Sequence, residues 1–256
     1  MSSPLFDLAG RAALVTGGNG GIGLGMAAGL AEAGAQVMIA GRDAAKNAAA
    51  LADLRKAGGK AEAIACDVTK KADCIAAVAA AEKAFGRLDI LVANAGTSVR
   101  KQPQDFTEAD WHHVIDTNLT STILCAQAAY PAMKRAGGGK IITIGSMMSI
   151  FGSSYAGAYA ASKGGVVQLT RSLAVAWAAD NIQANCVLPG WIDTALTKKA
   201  REQVAGLEER VVARSPVGRW GRPADMAGVA VFLAARASDF VTGTAIPVDG
   251  GFSVMG

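Results

Sequence analysis

The chain has 256 residues, 51% of them hydrophobic, with 31 glycines and few aromatics, which is enough apolar material to bury one α/β core of tightly packed helices on a sheet. The formal net charge of +4 is small and the Lys and Arg residues are scattered, so no basic stripe points to nucleic acid. Cys66, Cys74, Cys125 and Cys186 lie far apart without metal-like spacing, which suits buried free thiols in a reducing cytosol.

The opening Met1-Ser2-Ser3-Pro4-Leu5-Phe6-Asp7 has neither the basic region nor the long apolar stretch of a secretory signal, so a soluble cytoplasmic protein is expected. Ala12 to Thr16 then reads as a strand ending in Gly17-Gly18-Asn19-Gly20-Gly21, and Ile22 to Ala33 as a helix closed by Gly34. Glycines let a backbone turn sharply and approach a pyrophosphate, while the helix that follows offers amide donors and a favourable dipole. Gly18, Gly20 and Gly23 also satisfy G-x-G-x-x-G, so a dinucleotide site is expected here.

Gln36 to Ala40 reads as the second strand, and its tip carries Gly41-Arg42-Asp43. An acidic residue at position 41 would accept from the ribose 2′-hydroxyl of NAD and repel a 2′-phosphate; Gly41 followed by Arg42 favours NADP over NAD. Asp43 precedes Ala44-Ala45-Lys46 and looks like a helix N-cap. Beyond it the expected order is helix Ala44 to Ala57, strand Ala61 to Ala65, helix Lys70 to Phe85, strand Leu88 to Ala93, one long helix Thr107 to Arg135 and strand Lys140 to Ile144. Helix Ala156 to Ala179, strand Ile182 to Val187, helix Pro223 to Ala235 and strand Thr244 to Val248 complete the chain. This alternation predicts a single Rossmann-like domain, 1–256, with a doubly wound parallel sheet of about seven strands and helices on both faces. Ligands of that architecture bind beyond the carboxyl ends of the strands.

The stretch from Ile141 to Ser162 carries no charge and is long enough to cross a bilayer, but its glycines, serines and threonine suit a strand, loop and helix start better. At its end Tyr159 and Lys163 stand four residues apart, on one helix face, where the ammonium would favour ionisation of the phenol. The lysine is the one local cation on this stretch able to tune the tyrosine. Such a pair suits acid/base chemistry near neutral pH. His112 and His113 are adjacent on a helix and point in different directions, so no metal site is expected.

Thr16-Gly17-x-x-x-Gly21-x-Gly23, Asn94-Ala95-Gly96, Ser146 and Tyr159-x-x-x-Lys163 resemble, in order and spacing, the classical type of the short-chain dehydrogenase/reductase family. Pro189-Gly190 and the terminal Val248-Asp249-Gly250-Gly251 match as well, so the resemblance runs from about Leu8 to Gly251. It implies that Tyr159 is the general acid or base, that Lys163 lowers its pKa and holds the nicotinamide ribose, and that Ser146 hydrogen-bonds the reacting oxygen. Asn118 would hold a water that links Lys163 to solvent. The same resemblance assigns cofactor contacts to Gly17, Asn19, Gly21, Ile22 and Gly23 of the loop, and to Arg42. It adds Asp67 and Val68 at the adenine, Asn94, Ala95 and Gly96 along the cleft, and Pro189, Gly190, Ile192 and Thr194 at the nicotinamide. Gly20 stands where many NADP-using relatives carry a basic residue.

Ser146, Tyr155, Tyr159 and Trp191 are the expected substrate contacts, and 194–214 resembles the family's variable lid. Arg100 and Lys101 are either surface charges or partners for an acidic substrate at the cleft mouth. The implied activity is metal-free, NAD(P)-dependent interconversion of a secondary alcohol and a carbonyl, on a sugar, polyol or sugar acid, since the ending 241–251 is similar to that of relatives acting on such compounds. A 3-oxoacyl thioester reductase is the alternative. A non-catalytic nucleotide-binding regulator would show a broken Ser-Tyr-Lys set, and here the set is intact. The family is usually tetrameric through its long helices and last strand. No nucleic-acid or membrane partner is expected.

Overall fold

The structure, a computed structural model, describes residues 4–256; Met1, Ser2 and Ser3, where the reading of the N-terminus began, lie outside the described residues. Seven short apolar runs form strands β1 (Ala12–Thr16), β2 (Gln36–Gly41), β3 (Ala61–Ala65), β4 (Ile90–Ala93), β5 (Gly139–Ile144), β6 (Ile182–Pro189) and β7 (Ala245–Val248). All pair in parallel, in the order β3-β2-β1-β4-β5-β6-β7. The winding reverses between β1 and β4, and the crevice at such a switch point is where this architecture binds ligands.

Alternate strand residues feed two separate cores, as a sheet covered on both faces requires. Ala13, Val15, Val37, Ile39 and Val92 pack under α1 (Gly21–Glu32) and α9 (Ala227–Ala234), while Leu14, Met38, Leu91 and Ile141 pack under α3 (Lys71–Phe85) and α5 (Ser121–Arg135). At the amino ends of the strands, buried Asp89 accepts from the Ala12 N–H (2.9 Å) and from Arg11 (2.8 Å) and Arg87 (2.6 Å), which pins β4 to β1. All four cysteines are buried and free, and Sγ of Cys74 meets Sγ of Cys125 at 3.6 Å between α3 and α5. Among the described residues no helix is long and apolar enough to cross a membrane, and the uncharged run folds as β5, a loop and the start of α6 (Gly157–Trp177).

The expected long helix from Thr107 is interrupted. Regular α4 (Glu108–Ile115) gives way to a π-helical turn, Asp116–Thr120, before α5 resumes. A π turn shifts the ladder by one residue and frees carbonyls. Here the hydroxyls of Ser121 and Thr122 donate to the carbonyls of Thr117 (2.6 Å) and Asn118 (2.8 Å). Sequence periodicity does not reveal such a turn, because its cause is tertiary: the Asn118 amide is drawn to the loop after β4.

Candidate active site

The loop from β1 to α1 lies against the switch point because its glycines admit what side chains would block. Gly17 and Gly21 adopt left-handed φ values of 62° and 52°. A Cβ on Gly23 would collide with the Asn94 amide and the Gly17 carbonyl. Asn94 Nδ2 donates to the carbonyls of Thr16 (2.9 Å) and Gly17 (3.1 Å), so it braces the loop against β4. Thr16, which sequence reading gave no separate role, is buried, and its hydroxyl accepts from the N–H groups of Asn94 (3.1 Å) and Ala95 (3.2 Å).

A cleft of about 430 Å³ runs from this loop past Arg42, Asp67 and Val68 to Gly96, Tyr159, Lys163 and Thr194. Gly20 faces open space and α1 begins at Gly21, so amide groups and the positive end of a helix meet the cleft where an anion would sit. The residues present therefore fit an extended dinucleotide.

At the tip of β2 the structure adds a steric reason for the missing carboxylate. A Cβ on Gly41 would collide with Asn19 Nδ2 and stand 2.8 Å from Asn47 Oδ1. Asn19 Nδ2 donates to Asn47 Oδ1 (2.7 Å), and Asn47 Nδ2 donates to the carbonyls of Gly41 (2.9 Å) and Ile64 (3.0 Å). Buried Asn47, on α2 (Ala44–Lys56), thus ties the glycine loop to the ends of β2 and β3; no sequence signal singled it out. Asp43 caps α2 by accepting from the Lys46 N–H (3.0 Å), leaving Arg42 and Lys46 as the cations on the cleft rim. Asp67 accepts from the hydroxyl (2.8 Å) and N–H (3.2 Å) of Thr69, and the hydroxyl is the chief reason its pKa is lowered.

Tyr159 and Lys163 project from the first turns of α6, as their spacing predicts. Lys163 is buried, its Nζ donates to the Ile144 carbonyl at 2.7 Å, and desolvation pushes its pKa down to about 8. Nζ lies 5.6 Å from the centre of the Tyr159 ring. Burial raises the pKa of the Tyr159 phenol, and the groups that oppose the rise are the Ser146 hydroxyl and the Arg100 charge. Ser146 Oγ accepts from the Met148 N–H (3.1 Å), which leaves its own proton free for the phenol side.

Asn118 is 1% exposed and its amide is fully used. Oδ1 accepts from the Thr97 N–H (2.8 Å), and Nδ2 donates to the Thr97 carbonyl (3.0 Å) and to Ser162 Oγ (2.9 Å). A Cβ on Gly96 would lie 3.4 Å from Asn118 Oδ1 and 3.6 Å from Lys163 Nζ, so the loop after β4 fits between the two.

A second cavity of about 90 Å³ shares Tyr159 with the cleft and is lined by Ser146, Tyr155, Pro189, Gly190, Trp191 and Arg100. The neighbouring pair Arg100 and Lys101 separates here. Lys101 is held by Asp110 at 2.6 Å, whereas Arg100 enters the cavity, where burial lowers its pKa. Its Nη1 and Nη2 reach Gln203 Oε1 (3.3 Å) and the Leu196 carbonyl (3.5 Å).

Those two acceptors belong to α7 (Ala195–Gln203), which with α8 (Leu207–Arg214) forms the segment read as a lid. Thr194 caps α7 and also lines the cleft, while the side chain of Ile192 is buried in the sheet core, so only its backbone remains available there. Ala200, Leu207, Val211 and Trp220 give the segment a core of its own, and the Trp191 ring meets Trp220 at 5.6 Å. Arg201 pairs with Asp193 and stacks over Trp220, 4.4 Å from the ring centre. Among the described residues no cluster of His, Cys, Asp and Glu could hold a metal ion, and His112 lies on the exposed side of α4 facing Glu108 at 3.6 Å.

A family model described as enoyl-(acyl carrier protein) reductase matches residues 17–253. The chain is also 40% identical, over 98% of its length and 96% of the relative's, to 2-dehydro-3-deoxy-D-gluconate 5-dehydrogenase of Formosa agariphila. The chain belongs to the short-chain dehydrogenase/reductase family. As a member, it is an oxidoreductase that uses a nicotinamide dinucleotide and interconverts an alcohol and a carbonyl. The chain is likewise 42% identical, over 98% of both chains, to 5-keto-D-gluconate 5-reductase of Escherichia coli strain K12. Among solved structures, the gluconate 5-dehydrogenase of Burkholderia cenocepacia J2315 in complex with NADP and tartrate superposes with a TM-score of 0.92, at 40% identity over 98% of both chains.

Proposed function

We propose that this protein is an NADP-dependent dehydrogenase/reductase of sugar acids, interconverting a secondary hydroxyl and a ketone on a carboxylate-bearing polyol chain. The observation that carries this reading is Arg100, the cation in a cavity that mixes hydroxyls and aromatic rings with apolar side chains such as Met147, Met148 and Leu196 and that shares Tyr159 with the dinucleotide cleft. A guanidinium held at such a place pairs with a carboxylate more strongly than with a neutral group, since a charged hydrogen bond contributes about 1.5–3 kcal/mol and a neutral one about 0.5–1.5. The relatives named for gluconate and its keto derivatives carry the same substrate chemistry. The neighbour solved with NADP, together with Arg42 and Lys46 on the rim and the closed position at Gly41, favours the 2′-phosphate form.

The chain's own groups then divide the work. Arg100 holds the carboxylate end, Trp191 and Tyr155 bracket the carbon chain, and Ser146 donates to the reacting oxygen. Tyr159 takes the hydroxyl proton in oxidation and returns it in reduction. Lys163 holds positive charge beside the phenol, and Asn118 keeps the Gly96 loop in place. NADP, when bound along the cleft, supplies the hydride acceptor or donor. The segment 194–214 acts as the lid, and a cytoplasmic homotetramer is the form that family membership suggests.

The test is absorbance at the reduced-nicotinamide band with NADP or NAD and a panel of sugar acids, neutral polyols and 3-oxoacyl thioesters. Turnover concentrated in the sugar acids supports the reading, and turnover of the thioesters alone would replace it with the acyl reductase. Tyr159→Phe should lower kcat by about 10²–10⁴-fold with NADP affinity retained; substantial residual rate would remove the phenol from proton transfer.

A further inference from the structure

Two serines that make no contact expected of substrate or cofactor tie the site together. Ser149, in the turn after β5, accepts from the N–H of Ser146 (3.2 Å) and donates to the carbonyl of Lys163 (2.8 Å). Ser162, on α6, accepts from Nδ2 of Asn118 (2.9 Å) and donates to the carbonyl of Tyr159 (2.7 Å). Ser146 and Asn118 come from different elements, yet each stands one hydroxyl away from the backbone of the helix that carries Tyr159 and Lys163. We infer that Ser149 and Ser162 are positioning residues, a pair of hydroxyl bridges that fix Ser146 and Asn118 in register with the phenol and the ammonium.

The geometry favours this over incidental hydrogen bonding. A serine hydroxyl has one proton to give, and both serines spend it on a carbonyl of α6, which leaves the oxygen to accept from the second element. Ser162 to Tyr159 taken alone is an ordinary back-bond within a helix. The same oxygen, however, also receives the Asn118 amide from 44 residues away. Ser149 and Lys163 are 14 residues apart, in a loop and a helix, so no local turn accounts for their bond. Asn118 has every amide hydrogen and its oxygen engaged, and Ser162 is 0% exposed, so water cannot replace the bridge if it is removed. An orphaned Nδ2 hydrogen would let the amide tilt against Gly96 and Lys163.

This inference rests on the assignment of Ser146, Tyr159 and Lys163 to the reaction, and its test separates the two. Ser149→Ala and Ser162→Ala are assayed with NADP and D-gluconate, alone and combined with Ser146→Ala and Asn118→Ala respectively. Each serine variant should lower kcat by about 10- to 100-fold, the scale of a slightly misplaced reacting group, while KM and NADPH binding by fluorescence change little; Ser162→Ala, which orphans a buried amide hydrogen, should also lower the thermal midpoint. In the Ser146→Ala background Ser149→Ala should cost almost nothing more, and likewise Ser162→Ala in Asn118→Ala, because each bridge acts through its partner. Ser149→Thr, which keeps the hydroxyl at a half-buried position, should restore most of the rate. Effects that multiply independently, or a wild-type kcat in both serine variants while Tyr159→Phe is inactive, would overturn the bridges and leave the site reading intact. If Ser162→Ala fails to fold, the Ser146–Ser149 cycle decides. Turnover retained by Tyr159→Phe would remove the site reading and the bridges with it.

Discussion

Lys163 is the residue whose energetics the structure restates most. A lysine held with a pKa of about 8 stays charged in the native protein only at a cost, relative to its ordinary 10.5 in the unfolded chain. That cost is fully present below pH 8 and is relieved as pH rises toward 10.5, because the native state gives up its proton first. Between those limits the wild type should therefore gain about 3 kcal/mol on Lys163→Met, read from denaturant unfolding of both proteins across the range. Parallel pH profiles would mean that the lysine is not desolvated. At the other end of the cleft, Arg42→Ala should weaken NADP by about 10-fold or more and NAD far less, as binding titrations would report, since the guanidinium answers only the 2′-phosphate. Equal losses would move the discrimination elsewhere, with Lys46 the next cation on the rim.

At the scale of elements, the strands, glycine loop, cap at Asp43 and the Tyr159/Lys163 face were legible because each depends on local rules: period, backbone freedom and side-chain spacing. The π turn at Asn118 and the role of Asn47 were not, since both arise from amides that satisfy backbone groups on distant elements. Arg100 and Lys101 show the same limit. They are neighbours in sequence, but only the fold sends one to the cavity and the other to Asp110. Asn47→Ala tests the long-range class directly. It takes a donor from the carbonyls of Ile64 and of Gly41, the latter keeping the Cys66 N–H (3.2 Å), and leaves Asn19 Nδ2 without its acceptor, so thermal or denaturant unfolding should show a loss of about 1–3 kcal/mol, with NADP binding weakened as well. A variant as stable as wild type, binding NADP equally well, would show that water or Asn19 takes over the bond.

For the whole molecule, the parallel sheet gathers the glycine loop, the Tyr159 and Lys163 pair and the cavity of Arg100 at the carboxyl ends of its strands, and 194–214 packs there around Trp191 and Trp220. The comparisons bear out the family, the fold and the chemistry read from the motifs, and the relatives reported above are named for gluconate and its keto derivatives. What the structure adds to them is Arg100, a cation in the cavity that shares Tyr159 with the cleft. The decisive measurement is kcat/KM for D-gluconate against neutral D-glucitol, with NADP, in wild type and Arg100→Ala. The account predicts a wild-type preference for the acid that falls by about 10- to 100-fold in the variant, through KM for the acid, with glucitol scarcely affected. A preference that survives loss of Arg100, or equal use of acid and polyol by the wild type, would contradict it.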